Sequence, residues 1–169
     1  MRWLNPDEFQ KCFLNWVRGV AKLTKGEVVA IDGKALRGSK DREKSAIYMV
    51  SAWASANGVV LAQKKVNEKT NEIKAIPELL EILAINGCIV TIDAIGCQKG
   101  IVKETILNEA NYILSLKENH SLLYEEINLY FKDCRKSKFK DILHDYYERS
   151  NKGHGGMERQ KCWITEDID

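Results

Sequence analysis

The chain has 169 residues, with 26 Lys and Arg against 24 Asp and Glu, a formal net charge of +2 and 44% hydrophobic side chains. That is a chain of globular composition, long enough for one domain with a real core. No run approaches the roughly 18 apolar residues of a membrane span, and "MRWLNPDEFQ" carries no apolar leader, so a cytoplasmic protein with no membrane partner is expected.

Asn5-Pro6-Asp7-Glu8 reads as a helix start: a capping Asn, a Pro suited to the first helical position and a Glu three residues after the cap. Phe9, Cys12, Phe13, Trp16, Val17 and Val20 then recur at helical spacing, and Gly26 suits the helix exit. Residues 27–32 form a short β-branched strand. A basic loop follows, in which Lys34, Arg37, Lys40, Arg42 and Lys44 stand against Asp41 and Glu43. Such a loop neutralises phosphates or is simply solvated.

Residues 45–55 and 59–66 read as two strands joined by the hairpin signal Asn57-Gly58. In 70–84, Ile73, Ile76, Leu79, Leu80 and Leu83 share a helical face, with Asn71 as a candidate cap. Pro77 marks a helix start or a kink within it. "CIVTIDA" (88–94) is a continuous apolar run, the mark of a strand covered on both faces. A helix at 98–110, a strand at 112–117 and an amphipathic helix at 121–134 come next. "HDYYERSN" and "MERQKCWITE" then flank "KGHGG", which reads as a hairpin with His154 in its turn.

Three strands in succession can form an antiparallel meander. The two later strands arrive through helical crossovers and so pair in parallel. A mixed α/β sheet of order 3-2-1-4-5 satisfies both demands. In that sheet Asp32 and Asp93 end adjacent parallel strands. Two carboxylates so placed can share divalent cations for phosphoryl transfer; alternatively, each Asp only opens a loop. The five Cys have irregular spacing and no C-x-x-C pair, which argues against disulfides or structural zinc and favours small core residues. Trp16 and Trp53 are expected in the core.

"VVAIDGKALRGS", "VSAWASANGVVLAQKKVNEKTNEIKAIPELLEIL", "CIVTIDAIGCQKGI" and "YILSLKENHSLLYEEI" resemble the H-repeat-associated transposases, insertion-sequence enzymes of the DDE class. "LNPDEFQKCFLNWV" and "HGGMERQKCWIT" extend the resemblance over nearly the whole chain. The resemblance implies a ribonuclease-H-like fold and Mg²⁺- or Mn²⁺-dependent cleavage and transfer of DNA strands, with Asp32 and Asp93 as two acids of the triad. It also implies a piece of a transposase: residues 1–25 as the remnant of a helical region, and 26–169 as a core ending before the third acid. Glu158 is a substitute candidate, although the matching segment is a hairpin strand.

Lys34, Arg37, Gln98, Lys99, Lys117 and Asn119 are candidates for DNA contact near that site, or else ordinary loop and helix-start residues. Glu118 and His120 depart from the family's usual Gly and Gln. DNA is the expected partner and a homodimer a further one. The competing expectations are a non-catalytic DNA-binding or interaction remnant, and a standalone nuclease of the same fold.

Overall fold

A computed structural model describes residues 4–37, 39, 46–66, 72–153 and 156–166. Asn71, His154 and the basic residues 40–44 lie outside them. The chain divides into two compact units, Met1–Asn119 and His120–Asp169.

The first unit opens with helix α1 (Pro6–Val20), which starts at Pro6 as its sequence indicates. Strands β1 (Val28–Ala35), β2 (Tyr48–Ala54) and β3 (Val59–Val66) follow. Helix α2 (Glu72–Glu81) holds Pro77 inside it, and β4 (Ile89–Ile92) comes next. After a 3₁₀ turn (Ala94–Gly96) come α3 (Lys99–Leu107) and β5 (Asn111–Leu114). The sheet order is β3-β2-β1-β4-β5, with β1–β2 and β2–β3 antiparallel and β1–β4 and β4–β5 parallel. This is the mixed α/β sheet of order 3-2-1-4-5 that the sequence leads one to expect.

Side chains alternate across a strand, so the register sorts the sheet into two faces. Val29, Ile31, Val50, Ala52, Val90 and Ile92 share one face and are all buried. They form one cluster with Ala75, Ile76, Leu79 and Leu80 of α2. Leu79 and Leu80 are fully buried, and burial of such a side chain contributes about 1.5–3 kcal/mol. The opposite face carries Ala30, Asp32, Ser51, Trp53 and Thr91, which are half-buried or exposed.

Several local expectations are corrected. Trp53 is 42% exposed because it stands on the open face. Trp16 is 59% exposed; α1 buries Val17 and packs Phe13 and Leu14 on the core, leaving Trp16 leaning on Phe13. Of the cysteines only Cys88 and Cys134 are buried; Cys12 and Cys162 are exposed. Gly26 does not end α1. It sits at φ +82° in the turn into β1 and donates its N–H to the Gly87 carbonyl.

The β2–β3 connection is not a two-residue turn but spans Ser55–Gly58, with Gly58 at φ +65°. Asn57 is there for its side chain: its amide nitrogen donates to both Glu27 carboxylate oxygens and its carbonyl accepts from the Lys22 N–H.

The second unit contains α4 (Ser121–Lys136) and an antiparallel ribbon, β6 (His144–Gly153) with β7 (Gly156–Thr165). Phe139 is buried where the helix hands over to the ribbon. It stacks on His144 (4.4 Å between centroids) and lies parallel to Trp163 (6.0 Å, 9° between planes).

Candidate active site

The last parallel pair between β1 and β4 is Ile31 with Ile92. Asp32 is the next residue on β1, and Asp93 directly follows the last residue of β4. The local setting of Asp32 differs from a strand terminus. β1 continues to Ala35 because β2 keeps pairing with it through Ala35–Tyr48, whereas β4 stops at Ile92. Asp32 is therefore a mid-strand residue standing where its parallel neighbour ends.

Asp93 leaves the sheet at once. Its backbone is extended, its Oδ1 accepts the Ile95 N–H at 3.1 Å and its carbonyl accepts the Gly96 N–H at 2.9 Å. This caps the 3₁₀ turn. A Cβ on Gly96 would approach Ile92 Cγ2 to 2.2 Å, so the turn is pressed onto the strand that presents Asp93. The Asn119 side-chain amide donates to the Ala94 carbonyl at 2.9 Å, tying the segment after β5 to the same turn.

Both carboxylates are exposed. Asp32 is paired with Lys34, Nζ to Oδ2 at 2.9 Å, two residues on and on the same face of β1. With side chains this exposed, such a pair contributes about 0–1 kcal/mol and is readily exchanged for another cation.

The other expected residues sit as follows. Arg37 is exposed two residues past β1. Gln98 is half-buried at the cap of α3, with a backbone rather than a side-chain capping role, and Lys99 is exposed at the first helical position. Lys117 is exposed just beyond β5. Glu158 is exposed on β7 of the second unit and accepts from Gln160. Among the described residues, no group of three or more His, Cys, Asp or Glu side chains is arranged to hold a metal ion.

One acid escapes a reading of the sequence. Glu72 opens α2 and is 5% exposed. Its carboxyl lies against Gly33, the residue after Asp32, on the opposite face of β1. The sequence does carry a signal: an acid directly before the apolar stripe of α2, and a Gly inside a strand, which marks close approach by another group.

The oxygen-only donors Asp32 and Asp93 suit a hard divalent cation such as Mg²⁺. The fold is thus a mixed α/β domain in which an aspartate follows the last parallel pair on each of two adjacent strands. The family profile described as "Transposase DDE domain" matches residues 23–166, and the chain belongs to that family. "Putative transposase YncI" of Escherichia coli (strain K12) is 41% identical over 152 residues, 89% of this chain and 60% of that protein. "H repeat-associated putative transposase YhhI" of the same strain is 38% identical over 157 residues, 92% of this chain and 41% of the relative.

The chain spans between 38% and 64% of the length of the curated relatives it matches. Among solved structures, the piggyBac transposase synaptic complex with hairpin DNA aligns at TM-score 0.42 and 14% identity, covering 69% of this chain and 30% of the other. The simian T-cell lymphotropic virus intasome aligns at TM-score 0.42 and 16% identity, covering 69% and 45%. No helix among the described residues is long and apolar enough to cross a membrane.

Proposed function

We propose that this chain supplies the two-aspartate core of a DDE transposase, a protein that cuts DNA and joins the freed 3′ end to a target strand. The observation that supports this reading is the parallel Ile31–Ile92 register, after which Asp32 and Asp93 follow directly on neighbouring segments. Magnesium or manganese ions held there would neutralise charge on the attacking and leaving oxygens of an in-line phosphoryl displacement. Asp32 and Asp93 bind and orient through oxygen. Lys34, Arg37, Lys99 and Lys117 supply positive charge to neighbouring phosphates. Gln98 and Asn119 steady the loops between them, Asn119 through its bond to the Ala94 carbonyl.

A second reading is a DNA-binding remnant without catalysis, in which the Lys34 ammonium rather than a metal ion stays on Asp32. Titration of the purified chain with Mn²⁺, followed by electron paramagnetic resonance, separates the two. The transposase-core reading expects binding that is lost in Asp32→Asn and again in Asp93→Asn. DNA binding with no Mn²⁺ binding at all supports the remnant. Metal-dependent nicking of DNA that is abolished by Asp32→Ala would overturn the remnant.

A further inference from the structure

The β6–β7 ribbon belongs to the second compact unit. Directly opposed residues of an antiparallel pair share a face, so the register divides the ribbon in two. One face carries Glu148 with Lys161, Ser150 with Arg159 and Lys152 with Met157. The other carries Asp145 with Ile164, Tyr147 with Cys162, Arg149 with Gln160 and Asn151 with Glu158.

Charge follows this division. The first face sets Lys152, Arg159 and Lys161 against Glu148 alone. Glu148 is itself occupied, accepting from the Tyr146 hydroxyl and the Arg159 guanidinium. The second face sets Arg149 against Asp145 and Glu158, and engages Arg149 with Asn151 at 3.0 Å.

The ribbon is anchored only at its base among the described residues of its unit. There Trp163 packs on Phe139 and Tyr146, and the Arg135 guanidinium lies 5.8 Å from the Trp163 ring centre. Every β7 residue from Gly156 to Cys162 is exposed. Ten-residue strands reach roughly 33 Å, and a lone two-stranded ribbon is marginal in water. Its exposed apolar side chains Tyr147 and Ile164 stand on the second face, whereas the first face beyond Trp163 is polar and cationic apart from Met157. The cations segregated on that first face suit a negatively charged partner.

Duplex DNA is such a partner. Its phosphates accept from Lys and Arg, and its major groove, about 12 Å wide, admits a two-stranded ribbon. We propose that the Lys152–Arg159–Lys161 face of the β6–β7 ribbon is a DNA-docking surface that contacts duplex phosphates without any metal. The partner rests on the transposase reading. The inference adds to it a second DNA surface, made of residues other than the two aspartates.

Fluorescence anisotropy of the 169-residue chain with a labelled duplex several helical turns long, in EDTA and across a salt series, tests this. Lys152→Gln with Lys161→Gln should weaken binding roughly tenfold at about 0.1 M salt, and flatten the slope of log K against log salt by roughly two contacts. Lys152→Glu with Lys161→Glu should weaken it further. Arg149→Gln, on the other face, should change neither quantity, and unchanged thermal unfolding of each variant shows the fold retained. An unchanged slope in the double variants, or equal loss from Arg149→Gln, overturns the ribbon surface while leaving DNA binding itself intact. A ribbon that instead pairs with a second copy would show as a dimer lost in the double variants, which also overturns the proposal. Absence of any DNA binding by the unaltered chain, with or without Mg²⁺, overturns both this inference and the reading it rests on.

Discussion

The carboxyl group of Glu72 occupies the space where a Cβ on Gly33 would stand, with Cδ at 2.5 Å and both oxygens within 2.7 Å of that position. A buried acid at the head of α2 thus bears on the backbone of β1 one residue from Asp32. The contact joins the first turn of a helix to the strand segment that extends past β4.

Gly33→Ala should accordingly force the Glu72 carboxyl aside and destabilise the chain by about 1–3 kcal/mol, the usual cost of overpacking. Glu72→Ala in the same chain should relieve part of this. Urea denaturation of both single variants and the double variant would give a coupling of at least about 0.5 kcal/mol if the two residues compete for one space. Additive losses would show that the contact does not constrain β1.

Lys34→Met removes the cation from Asp32. Because both side chains are largely exposed, stability should change by less than about 1 kcal/mol. Mn²⁺ should bind more tightly, since it no longer competes with the ammonium for Asp32. Equal Mn²⁺ affinity in Lys34→Met and the unaltered chain would show that Asp32 does not share the ion.

Glu27 is held below the ordinary carboxylate range, chiefly by the hydrogen bond from the Asn57 side chain. Its folded pKa is lower than its unfolded value of about 4.3. The stabilisation is therefore present above that value and is lost as pH falls through the lower folded pKa. Urea midpoints of the unaltered chain should drop more steeply below about pH 4.3 than those of Glu27→Gln, whose amide does not titrate there. Parallel curves would remove Glu27 from the acid sensitivity of the fold.

Much of this architecture is legible in the order and spacing of the residues. The continuous apolar run at 88–94 marks a strand, although only its Val90 and Ile92 face is fully covered, and the crossover rule places β4 beside β1. What local pattern does not reveal is where strands end. Residues 27–32 read as the whole first strand because its apolar run stops there, yet β1 persists to Ala35 through backbone pairing with β2. Backbone hydrogen bonds do not depend on hydrophobicity, so the pattern misses them. Trp53 misleads for a similar reason: aromatic character suggests burial, but alternation places it on the open face. Asn57-Gly58 announces a turn without announcing the purpose of its Asn, because Glu27 and Lys22 lie about thirty residues earlier.

By itself, the sequence determined the strand order. Hydrophobic periodicity and the length of each connection are local properties, and together they allow few topologies. Only the tertiary structure decided that Lys34 pairs with Asp32, that Glu72 presses on Gly33 and that Asn119 braces the turn after Asp93. It also decided that the cations of the β6–β7 ribbon fall on one face, because cross-strand register sets which residues are opposed. The geometry of these contacts depends on register and on packing between segments distant in the chain, which no local run of residues encodes.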